Sequence, residues 1–241
     1  MLKKTRGIFL HYINYSDSSV IARIYTEQFG QQSYIVSGSH SKKSGARINL
    51  FQPLYLLDLE VYHKPGRGVQ RLKSARLAVP FNNLPFDIRK SSQAIFISEL
   101  LMKCLKEEEG NTELFDFLFH AVCLLDLVEK GNNNFLISFL FRLTRYLGVE
   151  PQSPPASAYR YFDLVSASFK QSEPVHHRFM DAEITLKFVE LFGRDFSDLE
   201  SLNYNTRQRR ELLDYLIEYY KIHLDTGTEL KSLGVLKEVL G

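Results

Sequence analysis

Only two cysteines, Cys104 and Cys123, occur in the 241 residues, which excludes a disulfide framework and a cysteine-built metal site. They lie in segments of helical periodicity and read as buried small hydrophobes. Proline- or glycine-rich tracts and low-complexity runs are missing too, and with 44% hydrophobic and 24% charged residues the chain reads as folded. No apolar run approaches the roughly 18 residues that cross a bilayer. Met1, Leu2, Lys3 and Lys4 lead straight into strand-like alternation without an apolar leader, so a cytoplasmic protein with no membrane contact is expected. Enzymatic signatures are equally absent: there is no phosphate-binding P-loop, dinucleotide fingerprint or nucleophile elbow. Asp58 and Glu60, two apart on one strand, read as solvated carboxylates, and His176 and His177 lack further ligands at zinc spacing. A non-enzymatic protein without catalytic residues, cofactor or metal is the expectation.

Acid is scarce in the first third. Residues 1–80 hold four carboxylates (Asp17, Glu27, Asp58, Glu60) against 12 lysines and arginines, a net +8, whereas residues 81–241 hold 24 against 18, a net −6. A basic segment joined to an acidic one points to a polyanion partner for the first and a different task for the second.

The periodicity divides at the same place. Arg6 to Tyr15 alternates, with Ile8, Leu10 and Tyr12 on one face and Phe9, His11 and Ile13 on the other. Runs at Ser19 to Thr26, Gln31 to Ser37, Leu54 to His63 and Val69 to Val79 make five short strands, the last two joined by a Lys64-Pro65-Gly66-Arg67-Gly68 turn. Gly38 to Asn49 reads as a polar, basic loop. So many short strands are best buried by curling into an OB-like barrel, with an SH3-like barrel or small sandwich as alternatives. After Pro80 a linker around Pro85 precedes helices at Ser91 to Lys106, Thr112 to about Gly131 and Asn134 to Leu147. A non-helical excursion, residues 151–178, interrupts the pattern, and helices resume at Asp181 to Phe192, Thr206 to Leu224 and Glu229 to Leu240. The expected architecture is multidomain, α and β: a barrel domain at 1–80 and a mainly helical domain at 81–241 with a hairpin-like insertion.

Single strands are held by cations that track phosphates and by rings on which bases stack. The first segment interleaves Tyr12, Tyr15, Tyr25, Tyr34, Tyr55 and Tyr62 with its cations. Candidate phosphate contacts are Lys3, Arg6, Arg23, Arg67, Arg71 and Lys73, and above all the loop cluster Lys42, Lys43 and Arg47. Tyr12 and Tyr25 are the candidate base platforms.

The order of these residues is similar to that of a known family. Thr5, Gly7, Ile8 and Leu10, then Tyr15, Ser19, Ile21, Thr26 and Gly30, then the basic loop with Gln52 and Pro53, resemble the RecO family of DNA repair proteins; Arg207 to Leu224 and Leu230-Lys231-Ser232 resemble its closing helices. The resemblance implies an OB barrel followed by a helical domain. It also implies a recombination mediator of the RecF pathway, bacterial and nucleoid-associated, that binds and anneals single-stranded DNA and takes duplex DNA more weakly. With RecR such a protein displaces single-strand-binding protein so that RecA can load. Many members carry two CxxC pairs holding zinc after the position of Leu147 and Gly148. Here Pro154, Pro155, Ala156 and Ser157, then Ser172 and His176, stand near those places, so apolar or hydrogen-bonded packing is expected instead of a metal. If the acidic, apolar tail of single-strand-binding protein docks on the helical domain, Arg142, Arg145, Arg207, Arg209 and Arg210 are the candidate contacts. The rival reading is an adaptor whose basic barrel binds an acidic protein.

Overall fold

A computed structural model describes residues 1–37, 48–106, 109–129, 132–224 and 230–240. In chain order its elements are β1 (Leu2–Ser16), β2 (Ser19–Thr26), β3 (Gly30–Ser37), β4 (Leu56–Tyr62), β5 (Gln70–Leu77), α1 (Ile88–Cys104), α2 (Thr112–Leu127), α3 (Asn132–Tyr146), β6 (Tyr161–Asp163), β7 (Ser168–Lys170), β8 (Phe179–Met180), α4 (Ala182–Val189), α5 (Thr206–Leu224) and α6 (Leu233–Leu240). They form two compact units, Met1–Leu127 with Leu230–Val239 and Val128–Glu229 with Leu240–Gly241.

In the first unit β1 to β5 close into a barrel of order β1-β2-β3-β5-β4. β1 serves two partners, pairing with β4 from Leu2 to Ile8 and with β2 from Gly7 onward. β3 meets β5 in parallel at Tyr34↔Gln70 and Ile35↔Arg71. That order is the OB arrangement, and it separates the fold from the two alternatives. Phe9, Ile24, Tyr34, Leu57, Leu59 and Val61 fill the interior. Gly7 points into it as well, where a Cβ would stand 2.7 Å from Ile24 and Leu59 side-chain atoms.

One irregularity changes the faces read from the sequence. The β1–β2 register shifts between Phe9 and His11, so Leu10 is an extra residue and the alternation changes phase there. Tyr12 consequently packs against the interior cluster with Phe9, and His11 and Ile13 turn outward.

The barrel is apolar on part of its outside as well. Leu56, Ile8 and Tyr25 are register neighbours across β4, β1 and β2, and all three are almost completely buried. The Tyr25 ring stacks 6.2 Å from Phe115 of α2, and Ser98 of α1 donates to the carbonyl of the bulge residue Leu10. Burying each such side chain stabilises by roughly 1.5–3 kcal/mol, so this strip requires the helical cover. The compact unit therefore runs past residue 80 to include α1, α2 and α6.

Charged residues fix that cover. The segment after the barrel, read as a linker, is pinned: the Asp126 carboxylate accepts the backbone N–H groups of Asn82 (3.1 Å), Asn83 (2.8 Å) and Leu84 (2.6 Å). Buried Lys90 donates to the Asp126 carbonyl at 2.6 Å. The same local order starts α1 earlier than its apolar periodicity, because Asp87 accepts from Arg89 and Lys90 N–H as an N-cap. Arg6 of β1 forks onto Glu27 (3.0 and 2.7 Å), reaches Asp116 of α2 at 3.2 Å, and lies 5.1 and 5.0 Å from the ring centroids of Phe115 and Phe119. Gly110 abuts the β2–β3 turn so closely that a Cβ would meet the Glu27 carbonyl at 2.6 Å. At the far end, Glu99 of α1 accepts the N–H groups of Lys231 and Ser232 ahead of α6.

The second unit packs α3, α4 and α5 around aromatic side chains. Gly148, with φ of +72°, ends α3 in the left-handed conformation that glycine favours. Tyr219 and Tyr220 of α5 donate to the carbonyls of Val149 and Leu140, both at 2.8 Å. The excursion folds as a small sheet of order β7-β6-β8. Its inner face is apolar: Phe162 lies 5.0 Å from Phe169 and 4.7 Å from Phe188. Asp163 accepts from the N–H groups of Val165 and Ser166 and from the Ser166 hydroxyl. Among the described residues no group of three His, Cys, Asp or Glu side chains is placed to hold a metal ion. Both cysteines are free and half-buried, and burial pushes the Cys104 thiol up to about 12.

Asp126→Ala orphans three N–H donors and should cost about 2–4 kcal/mol, read as a fall in the unfolding midpoint. Burial opposes ionisation of this carboxyl, but the N–H donors of Leu84, Asn82 and Asn83, with Lys90, hold it below its ordinary value of 3.8. Its contribution is therefore complete above pH 3.8 and lost as the pH falls through the lower folded value, so wild type and the Ala variant should converge in strong acid. Arg6→Ala should cost about 1–2 kcal/mol, a modest figure because the pair is partly solvated.

Candidate nucleic-acid interface

Pairing sorts the barrel's cations into two populations. On the outward side of β1, β4 and β5 the register lines up Lys4, Glu60 and Ser74 in one row and Arg6, Asp58 and Arg76 in the next. Glu60 takes Lys73 at 3.0 Å and Lys4 at 3.9 Å, and Asp58 takes Arg76 at 3.1 Å. A hydrogen bond from Lys73, with another from the Ser74 hydroxyl, holds the Glu60 carboxyl below the usual range. Three of the four acids of residues 1–80 are thus spent on this strip. Its groove of about 560 Å³ carries alternating signs. Such a surface attracts a polyanion only weakly.

Elsewhere on the barrel, exposed cations stand without an acid partner among the described residues. Arg23 is exposed on β2 and Arg71 on β5; neither they nor Lys3, Lys64 and Arg67 make an ion pair among the described residues. Ladder pairing runs Ile13↔Ile21, Ile21↔Ile35, Ile35↔Arg71 and Arg71↔Tyr62, crossing from β1 through β2, β3 and β5 to β4. The adjacent row is His11↔Arg23↔Ser33. Ile13 is 53% and Tyr62 42% exposed, and the Arg71 guanidinium lies 6.0 Å from the Tyr62 ring centroid. An apolar sheet surface, the exposed rings of Tyr62 and His11 and guanidinium groups without an ion pair are what a chain of bases and phosphates requires. The β1–β2 end adds Tyr15, 63% exposed.

The residues named from sequence fall unevenly on this map. Arg23 and Arg71 are brought together through Ile21 and Ile35, and Arg67 lies exposed in the β4–β5 turn. Lys3 is exposed near the start of β1, opposite Val61. Arg6 and Lys73 belong to the paired strip. Tyr25 is buried under Phe115, so it offers no surface to a base, and half-buried Tyr12 belongs to the interior cluster. Lys42, Lys43 and Arg47 lie outside the described residues. The isoleucine row and Tyr62 were not singled out from sequence. Tyr62 stood among the interleaved tyrosines, but its exposure depends on strand pairing.

In the second unit Arg145 and Arg210 are exposed. Arg207 is held by Glu183 (2.5 Å) and Glu211 (3.1 Å). Arg209 turns back onto the Tyr204 carbonyl, and burial pushes its pKa down. Arg142 stacks 5.2 Å from the Phe196 centroid and donates to the Arg194 carbonyl at 2.8 Å. The five are not brought to one free surface; three are engaged within the unit.

Comparison with known proteins matches this architecture in two parts. A family model described as Recombination protein O N terminal matches residues 1–81, and one described as Recombination protein O C terminal matches residues 85–233. The first ends where the barrel does, ahead of the segment pinned by Asp126. The DNA repair protein RecO of Phocaeicola vulgatus is 36% identical over 239 residues, 99% of each chain. That of Flavobacterium psychrophilum is 35% identical over 237 residues, 98% of each, and that of Christiangramia forsetii 29% over 242 residues, 100% of each. Such kinship supports a role in DNA repair and recombination. With both halves matched in order and relatives aligned from end to end, the chain belongs to the RecO family of DNA repair proteins.

Proposed function

We propose that this protein binds single-stranded DNA on the exposed outer face of β2, β3 and the start of β5, and promotes strand annealing without making or breaking a covalent bond. The observation that carries this reading is the separation of charge: the acids of residues 1–80 are mostly paired on the β1–β4–β5 strip, while Arg71, in the isoleucine row, and Arg23, in the row beside it, make no ion pair among the described residues. Bases rest on Ile21, Ile35 and Tyr62, and phosphates meet Arg23, Arg71, Arg67 and Lys3. Lys42, Lys43 and Arg47, outside the described residues, are further phosphate contacts in this reading. Neutralising phosphates on two strands lowers their mutual repulsion enough for complementary bases to pair.

In this reading the protein acts as a recombination mediator. It works with RecR and with the acidic tail of single-strand-binding protein to open coated DNA to RecA. The exposed cations Arg145 and Arg210 are the tail contacts that remain once Arg142, Arg207 and Arg209 are spent internally. An acidic protein as the barrel's partner is the competing outcome of the same test.

Log affinity for a labelled oligothymidine should fall with log salt, with a slope of roughly −0.7 for each phosphate engaged. Arg23→Ala with Arg71→Ala should flatten that slope by about 1.4, and replacing Lys42, Lys43 and Arg47 together by Ala should flatten it by about 2, without loss of thermal stability. An unchanged slope in the Arg23/Arg71 variant would remove this face from the interface. Annealing of DNA coated with single-strand-binding protein should fall in parallel.

A further inference from the structure

The outer face of the small sheet repeats, in a different unit, the chemistry of the barrel's bare face. Phe162, Phe169 and Met180 are register partners on the side packed into the unit. The opposite side carries Tyr161, its partner Lys170, the almost fully buried Asp163, and Asp163's partner Phe179, whose ring meets Tyr161 edge-on at 5.6 Å. Exposed Arg160 lies with its guanidinium 5.6 Å from the Tyr161 centroid. Neither Arg160 nor Lys170 makes an ion pair among the described residues. Arg178 beside Phe179 is exposed and reaches Glu218 only at 3.6 Å.

The acids of the excursion do not offset these cations. Asp163 is 7% exposed and is spent on Val165, Ser166 and His176, which leaves Glu173. Residues 151–180 carry three lysines and arginines against two acids, in a portion of the chain (81–241) whose remainder holds 15 against 22. A purely acidic peptide would meet the cations and leave two half-exposed rings unused, whereas a base stacks on a ring or on an arginine plane while its phosphate meets the neighbouring cation.

We infer that the outer face of the β7–β6–β8 sheet is a second site for single-stranded nucleic acid, with Arg160 and Lys170 as phosphate contacts and Tyr161 and Phe179 as the base platform. This site does not depend on the barrel's being one. Two sites on one chain hold two strands, or two stretches of one strand, at once.

The test uses the full chain and fluorescein-labelled oligothymidine, titrated at several salt concentrations. Arg160→Ala with Lys170→Ala should weaken binding about tenfold and flatten the salt slope by about 1.4, in the wild-type background and in the Arg23→Ala/Arg71→Ala background alike. Arg160→Lys with Lys170→Arg, which keeps both charges, should keep the slope. Equal loss in the charge-keeping pair would mean packing rather than phosphate contact, and would overturn the site. So would an alanine pair that binds like its parent in both backgrounds, or a wild-type protein that binds labelled polyglutamate through Arg160 and Lys170 as tightly as it binds oligothymidine. If the barrel variant alone binds like wild type while the sheet variant loses affinity, the barrel reading fails and this one stands.

Discussion

The central constraint is that β1 is apolar on both of its faces where it crosses from β4 to β2. Phe9 fills the barrel, and Ile8 and Leu10 on either side of it need cover outside. The barrel therefore depends on α1 and α2 to bury the Leu56–Ile8–Tyr25 strip, and the buried carboxylate of Asp126 holds those helices and the intervening segment in place. Charge then follows from geometry. The borders of the covered region carry the paired cations, with Arg6 lodged between aromatic rings, and the uncovered face carries Arg23 and Arg71, which make no ion pair among the described residues. A barrel coated evenly by helices would have no bare face, and one without helices would expose too much apolar surface to stay folded alone.

Much of this was legible in the chain. Five strands, the OB-like barrel, the interruption after Leu147 and the helix from Thr206 to Leu224 follow from period, turn residues and caps, because each is encoded within a few neighbouring residues. The charge imbalance was legible as a sum. Which cations stay unpaired was not, since it depends on register. Lys73 meets Glu60 across the β4–β5 shift, and Arg71 becomes a neighbour of Ile35 only through the parallel β3–β5 contact, between strands 30 or more residues apart in sequence. Tyr25 and Tyr62 illustrate the same limit. Both are tyrosines in strands of this barrel; one is sealed by Phe115 of a helix 90 residues away, and the other is left facing solvent. The bulge at Leu10 moved Tyr12 inward and Ile13 outward, and no residue type near it announces the shift.

The second unit resolves a different problem. Phe162 and its aromatic neighbours supply the inner packing of the excursion, and the turn after β6 is tied by the Asp163 carboxylate. The inner face carries the stabilising contacts, which leaves the outer face free to carry Arg160 and Lys170.

Photo-crosslinking of the full chain to an oligonucleotide bearing 5-iodouracil, with the attached peptides read by mass spectrometry, addresses the central claim most directly. The account predicts adducts on His11 and Tyr62 at the barrel, suppressed by rising salt. Adducts confined to the Lys4–Arg76 strip, with none on the Arg23–Arg71 face, would contradict it.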